Sequence, residues 1–494
     1  MPERATRREA RSEKSAEVVV AAREGDEGPN GEEGKTPLSL EDAMPQMSRQ
    51  LELVLDGRGE APRGGAGAEA STAARGNACP GASGLMELVC ERRNLQAALK
   101  RVRNNKGSPG IDGMTVEDLP AHLRVHWPAI REDLLAGRYQ PSAVRRVVIP
   151  KPGGGERELG IPTVLDRFIQ QALLQVLQPR IDPSFSEHSY GFRPGRRAHD
   201  AVCHAQRYVQ EGRRWVVDID LEKFFDRVNH DVLMGRLAKR LEDRRVLGLV
   251  RRYLDAGILA NGVVMERHEG TPQGGPLSPL LANVLLDDVD KELEKRGHAF
   301  VRYADDLNVY VRSKRAGERV MEALRRLYAG LRLRVNESKS AVARATERKF
   351  LGFSFWVAPG REVKRRVAPQ ALARMKERVR ELTRRSVGRS LAQVCEGLRL
   401  YLNGWKGYFR LAQTPKAFTT IDEWIRHRLR ALQLKQWKRG TTIYRELRAR
   451  GMTRLAARQV AANGRRWWRN SAMKIHVALP NEHFDDLGLP RLAA

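Results

Sequence analysis

Arg302-Tyr303-Ala304-Asp305-Asp306-Leu307-Asn308-Val309-Tyr310-Val311 sets two adjacent acids between two β-rich halves. Phe300 to Tyr303 and Leu307 to Val311 read as short strands, so Ala304 to Asp306 is predicted at the tip of a hairpin. Two carboxylates fixed there repel one another and are costly to hold together unless a cation lies between them. Hard divalent ions such as Mg²⁺ take carboxylate oxygens together with substrate phosphates, and paired ions about 3.5 to 4 Å apart serve polymerases and nucleases alike. Taken alone, the dipeptide fits a solvated turn better.

A second segment shifts that balance. Trp215-Val216-Val217-Asp218-Ile219-Asp220 reads as a strand, and Leu221 to Asp226 as a turn into a helix. At period 2, Asp218 and Asp220 share one face while Val217 and Ile219 take the other. Spacing does not choose between the two acids. Either one, beside an Asp-Asp hairpin, completes a three-carboxylate cage suited to two Mg²⁺ ions and in-line phosphoryl transfer. Lys151 and Arg157 flank Gly153-Gly154-Gly155, a turn open to close backbone approach; cations on both sides of it suit a polyphosphate, and by the residues alone a solvated basic turn fits at least as well.

Several ordered blocks carry a resemblance that covers about Leu85 to the C-terminus. They begin with Asn105-Lys106-Gly107-Ser108-Pro109-Gly110-Ile111-Asp112-Gly113, then Ile149-Pro150-Lys151-Pro152 with Arg157 and Gly160-Ile161-Pro162, then Ser189-Tyr190-Gly191-Phe192-Arg193-Pro194. Asp220 to Asp226, Gly270-Thr271-Pro272-Gln273-Gly274-Gly275, Tyr303 to Asp306, Asn336 to Lys339 and Phe350-Leu351-Gly352-Phe353 follow. In this order the chain resembles the reverse transcriptases of group II introns, the intron-encoded maturases. The resemblance implies an α+β right-hand polymerase, with fingers and an antiparallel-sheet palm, followed by an α-helical thumb or maturase domain.

It also implies roles. Asp220, Asp305 and Asp306 become the metal-binding acids, holding two Mg²⁺ for which Mn²⁺ can substitute, and Asp218 and Asp226 become supporting residues. Phe225 is expected beneath the incoming sugar, excluding a 2′-OH. Lys151, Arg157 and Gln273 are expected at the dNTP, and Lys339 at the leaving pyrophosphate. Phe350, Leu351, Gly352 and Phe353 are expected to hold the primer terminus, although a small apolar strand with a Gly bulge reads the same way. Around Tyr401-Leu402-Asn403-Gly404-Trp405-Lys406-Gly407-Tyr408-Phe409, core packing suits the aromatic residues, and cations such as Lys406, Arg410 and Arg426 are the candidates for RNA contact.

Composition points to a polyanionic partner. Lys and Arg number 89 against 60 Asp and Glu, a formal net charge of +29. The excess concentrates late in the chain: residues 361–494 carry net +21 and five of the eight tryptophans, whereas residues 1–80 carry net −4. Basic charge interleaved with aromatics supplies phosphate attraction and base-stacking platforms. No apolar run approaches the roughly 20 residues that span a bilayer, and no charged-then-apolar leader opens the sequence, so no membrane partner is expected and a bacterial-type cytoplasm, with the nucleoid when on target DNA, is the expected location. The four cysteines form no CxxC pair, which argues against a zinc module or disulfide framework.

The expected layout is a disordered, low-complexity extension over 1–84, fingers and palm over 85–356, thumb over 357–440, and a basic DNA- or RNA-binding segment over 441–494. That last segment is too short for the family's endonuclease domain, so second-strand cleavage is not expected. The implied function is RNA-directed DNA synthesis from a DNA primer or target on an RNA template with dNTPs, joined to splicing and mobility of the intron RNA lariat. Two other classes compete: a non-catalytic RNA-binding splicing cofactor, opposed by the intact acids, and a domesticated or defence reverse transcriptase, opposed by the Gly404 to Tyr408 maturase block.

Overall fold

The computed structural model describes residues 84–150, 156–260, 263–265, 269–271, 274–386, 388–463 and 466–493. Most of the expected N-terminal extension, together with Lys151 and Gln273, lies outside these residues, and Arg157 is described by its backbone alone. Eleven strands form three sheets among the described residues: β1 (Val144–Pro150), β2 (Glu156–Ile161), β3 (Trp215–Ile219), β4 (Ile258–Ala260), β5 (Val263–Met265), β6 (Ala299–Tyr303), β7 (Asp306–Val311), β8 (Ala341–Arg344), β9 (Lys349–Phe350), β10 (Phe353–Val357) and β11 (Val363–Val367). Their orders are β2-β1-β4-β5, β6-β7-β3-β8 and β11-β10-β9.

The second of these sheets is the palm, antiparallel throughout, with Trp215 to Ile219 running opposite Val311 to Leu307. Alternation decides what each face buries. Val217, Ile219, Phe300, Leu307 and Val309 enter one core with the helices Ser278–Lys295 and Lys314–Gly330. Val216, Val301 and Tyr310 point the other way, into a second core with the helix Ala198–Gln210 and the thumb. Asp218 shares that second face, which is therefore polar at one end and apolar at the other.

The thumb is built from the helices Pro369–Leu382, Leu391–Phe409 and Pro415–Gln436. Ser390 and Gln393 form a reciprocal cap that starts the middle helix. Its stripe Val394, Leu398, Leu402, Trp405 and Phe409 recurs every three or four residues and is buried throughout. Gly440 is not a domain boundary. Phe484, Leu489 and Leu492 lie in the same core as this stripe, and the Asp422 carboxylate accepts hydrogen bonds from the backbone N–H groups of Leu492 and Ala493. The basic segment expected over 441–494 thus shares its core with the thumb.

Candidate active site and nucleic-acid interface

The palm register brings the acids to one end of the sheet. Ile219 pairs with Leu307 and Asp218 with Asn308, so Asp220 leaves β3 level with Asp306, which itself pairs with Tyr303 across the hairpin. Ala304 opens the turn with a left-handed φ of 58°. The expected hairpin tip is correct to within one residue, since Asp306 already belongs to β7.

Neighbouring side chains distinguish the two acids of β3. Asp218 is engaged structurally: Arg348 Nη2 lies 2.5 Å from its Oδ2, and the Asn308 amide, oriented nitrogen-first, donates to its Oδ1 at 3.1 Å. Asp220 is more open, with Lys339 Nζ 3.7 Å from its Oδ1. Burial drives the Asp306 carboxyl well above the usual carboxylate range, and the charges of Asp218, Asp305 and Asp220 push it further, with Lys349 opposing. Among the described residues, no three acid, histidine or cysteine side chains stand close enough to cage an ion as they are. An excess of negative charge carried on hard oxygen donors at one end of the sheet is nevertheless the chemistry that suits hard divalent cations.

Phe225 sits in the short 3₁₀ turn Phe224–Asp226, edge-on to Phe224 at 5.0 Å, and is only 9% exposed. Its carbonyl accepts from Thr271 N–H at 2.7 Å, which ties the start of the Pro-Gln-Gly-Gly loop to this turn.

Two groups of sequence-predicted residues need correction. Phe350 and Phe353 pair across β9 and β10 and are 2% and 0% exposed, so neither ring is available to a primer. What remains for contact is the turn between them, where Leu351 and Gly352 both take positive φ, 49° and 79°, and Tyr408 Oη donates to the Leu351 carbonyl at 2.8 Å. Arg426 is likewise no RNA contact: it is 3% exposed, with Nη2 2.7 Å from Asp485 and Nη1 3.5 Å from Asp422. One helical turn separates it from Asp422 on the inner face of its helix, and the returning C-terminal segment supplies Asp485. Replacing Arg426 with Ala should remove a buried link between Asp422 and Asp485, which keep the backbone N–H groups of Leu492 and Ala493 and the Arg491 guanidinium as partners, and destabilise the thumb by about 1–3 kcal/mol, read as a fall in melting temperature. A melting temperature within a degree or so of wild type would refute the structural role.

Lys406 donates to the Arg491 carbonyl at 2.7 Å, and Arg410 is exposed just beyond its helix. The denser cationic surface lies elsewhere on the thumb. Lys376, Arg380 and Arg428 surround the half-buried Trp424 ring at 5.9, 5.8 and 5.4 Å, while Arg385 and Lys435 approach Trp467 at 5.8 and 5.5 Å. Burial and the charges of Arg385 and Arg380 lower the pKa of Arg428, as expected where cations crowd one another. The spacing of Trp424 and Arg428, one helical turn apart, was the sequence signal for it.

Sequence reasoning also missed what lies behind the acidic turn. Arg302 and Asp290 are both fully buried and ion-paired at 2.5 Å, with Asn283 beside them.

Residues 149–355 match the family described as reverse transcriptase (RNA-dependent DNA polymerase), and residues 372–451 match the group II intron, maturase-specific domain. The chain is similar to protein YkfC of Escherichia coli, 33% identical over 312 residues, covering 55% of this chain and 81% of that protein. It is also similar to the group II intron-encoded protein LtrA of Lactococcus lactis subsp. cremoris, 40% identical over 195 residues, covering 39% of this chain and 32% of that protein, so it spans about a third of the length of that relative. A solved telomerase from Candida albicans is similar at TM-score 0.38 and 14% identity, over 67% of this chain and 65% of that one. The first relative's coverage and the two matched domains, in chain order, place this protein in the family of group II intron reverse transcriptases and maturases.

Proposed function

We propose that the chain is an RNA-directed DNA polymerase that also assists splicing of its intron RNA and insertion of the excised lariat into DNA. The observation that carries this reading is that the register ending at Ile219 and Leu307 brings Asp220 and Asp306 to the same end of the palm sheet, beside the Asp305 turn, on the palm face that continues into the maturase thumb. Asp220, Asp305 and Asp306 would hold the ions. When bound, two Mg²⁺ supply a lowered pKa at the primer 3′-OH and charge neutralisation at the pyrophosphate. The carboxylates orient and do not serve as general bases. Lys339, whose Nζ lies 3.7 Å from Asp220 Oδ1, would give a proton to the leaving group. Lys151, Arg157 and Gln273 would meet the triphosphate.

Primer extension on an RNA template with dNTPs and Mg²⁺ tests the reading. DNA product is expected, and none from folded protein would contradict it. Ion binding should also release protons, because Asp306 must ionise from its raised pKa; affinity should therefore rise with pH through that pKa. Calorimetry in buffers of different ionisation enthalpy measures this, and a buffer-independent heat would contradict it.

Phe225 serves as the sugar gate in this proposal. Phe225→Val should raise the kcat/KM for rNTPs relative to dNTPs by about tenfold or more, since removing ring volume admits a 2′-OH. An unchanged ratio would make the ring core packing alone.

A further inference from the structure

We propose that Arg302, with Asp290 and Asn283, is a positioning residue that holds the turn bearing Asp305 and Asp306 in its working conformation; the inference rests on the polymerase reading. Arg302 lies on β6 one residue before Tyr303, and its side chain points away from the acids, into the core beneath the sheet. Its guanidinium uses nearly its whole fork. Nε donates to both Asp290 oxygens at 2.8 and 3.0 Å, Nη2 to Asp290 Oδ2 at 2.5 Å, and Nη1 to Asn283 Oδ1 at 2.8 Å and the Ala304 carbonyl at 2.9 Å.

The Ala304 contact carries the argument. That carbonyl belongs to the peptide joining Ala304 to Asp305, so Arg302 fixes the plane from which the first hairpin acid departs. Ala304 has left-handed φ, which a residue with a Cβ adopts only when its surroundings impose it. A second restraint reaches the preceding peptide, between Tyr303 and Ala304. The Asn283 amide donates to the Gly191 carbonyl at 2.9 Å, and Gly191 lies so close to the turn that a Cβ there would stand 2.2 Å from Ala304 N. Backbone bonds from Tyr190 to Arg302 and from Arg302 to His188, each 2.9 Å, secure the flanking strand.

Stability alone does not account for this arrangement. A buried ion pair contributes little net stability beyond apolar packing of similar volume, and such a replacement is often neutral or favourable. Its distinct property is direction. Carboxylates crowded at one end of a sheet repel, and the turn carrying two of them relaxes outward unless it is tied from behind. Arg302 supplies that tie without touching substrate.

The decisive variant is the charge-free pair Arg302→Met with Asp290→Leu, which removes the tie and leaves no buried charge unpaired. Intron RNA affinity should match wild type, and the protein should stay folded with a melting temperature lowered only as far as the two acceptors left by Arg302, Asn283 Oδ1 and the Ala304 carbonyl, require. Amide hydrogen exchange over residues 300–310 should quicken by about tenfold. Primer extension should slow by about tenfold to a hundredfold, the scale of a small misplacement at a reacting centre, and the Mg²⁺ midpoint should rise severalfold. Arg302→Lys should not restore them, because an ammonium cannot span Asp290, Asn283 and the Ala304 carbonyl together. Wild-type exchange and a wild-type Mg²⁺ profile in the folded double variant would overturn the proposal. If that variant does not fold, Asn283→Leu, which leaves the ion pair intact, decides by the same two readouts, with no change in either again overturning it. A wild-type protein that extends no primer would instead sink the polymerase reading, and exchange at the turn would still decide whether Arg302 holds it.

Discussion

Asp306→Asn and Asp220→Asn should each slow RNA-templated primer extension by about 10²- to 10³-fold, the scale on which loss of a single preorganised charged or polar group slows a reaction. The amide preserves size and most hydrogen bonding but removes the charge that would face the ions. Folding should survive and even improve in Asp306→Asn, because burial among Asp218, Asp305 and Asp220 already disfavours the ionised Asp306. Asp218→Asn should behave differently. Its carboxylate is engaged by Arg348, so its loss should lower the melting temperature as well as the rate. Rates and melting curves measured side by side separate these outcomes, and wild-type extension by Asp306→Asn would refute the assignment.

Replacing Arg380, Arg385 and Arg428 together with Ser should weaken intron RNA binding and leave extension on a short primer–template nearly intact. These cations crowd one another around Trp424 and Trp467, an arrangement that gains stability when phosphate oxygens enter it. Each lost phosphate contact should flatten the dependence of log affinity on log salt by about 0.7 to 0.9, so a combined change of about two is expected. Trp424→Ala should add the loss of a stacking platform, about 1–3 kcal/mol if a base lies on the ring. Filter binding between low and moderate salt reads both effects. An unchanged slope in the triple variant would move the RNA surface off this part of the thumb.

The hairpin of β6 and β7 was legible because two short apolar runs with period 2 flank an acidic pair that no strand interior tolerates. The identity of the third acid was not. Period 2 puts Asp218 and Asp220 on the same face, and the residue that separates their roles, Arg348, lies 130 positions from Asp218. The Arg302–Asp290 pair escaped for a related reason: an Arg before the tyrosine reads as surface charge until the packing of the helix Ser278–Lys295 is known. Arg426 shows the opposite error. Its partner one turn earlier, Asp422, was visible in sequence, whereas Asp485, which returns with the C-terminal segment, was not. At Phe350 and Phe353, a two-residue turn makes flanking residues partners on one face, and two aromatic rings on the same face favour burial.

In the proposed function, one chain carries two separable activities, chemistry at the palm acids and RNA binding on the thumb. The most direct measurement takes a single Asp305→Asn protein through both assays: primer extension on an RNA template, and splicing of the intron RNA at low Mg²⁺. Extension lost with splicing retained is the predicted result. Extension retained, or splicing lost in protein that melts like wild type, would contradict it.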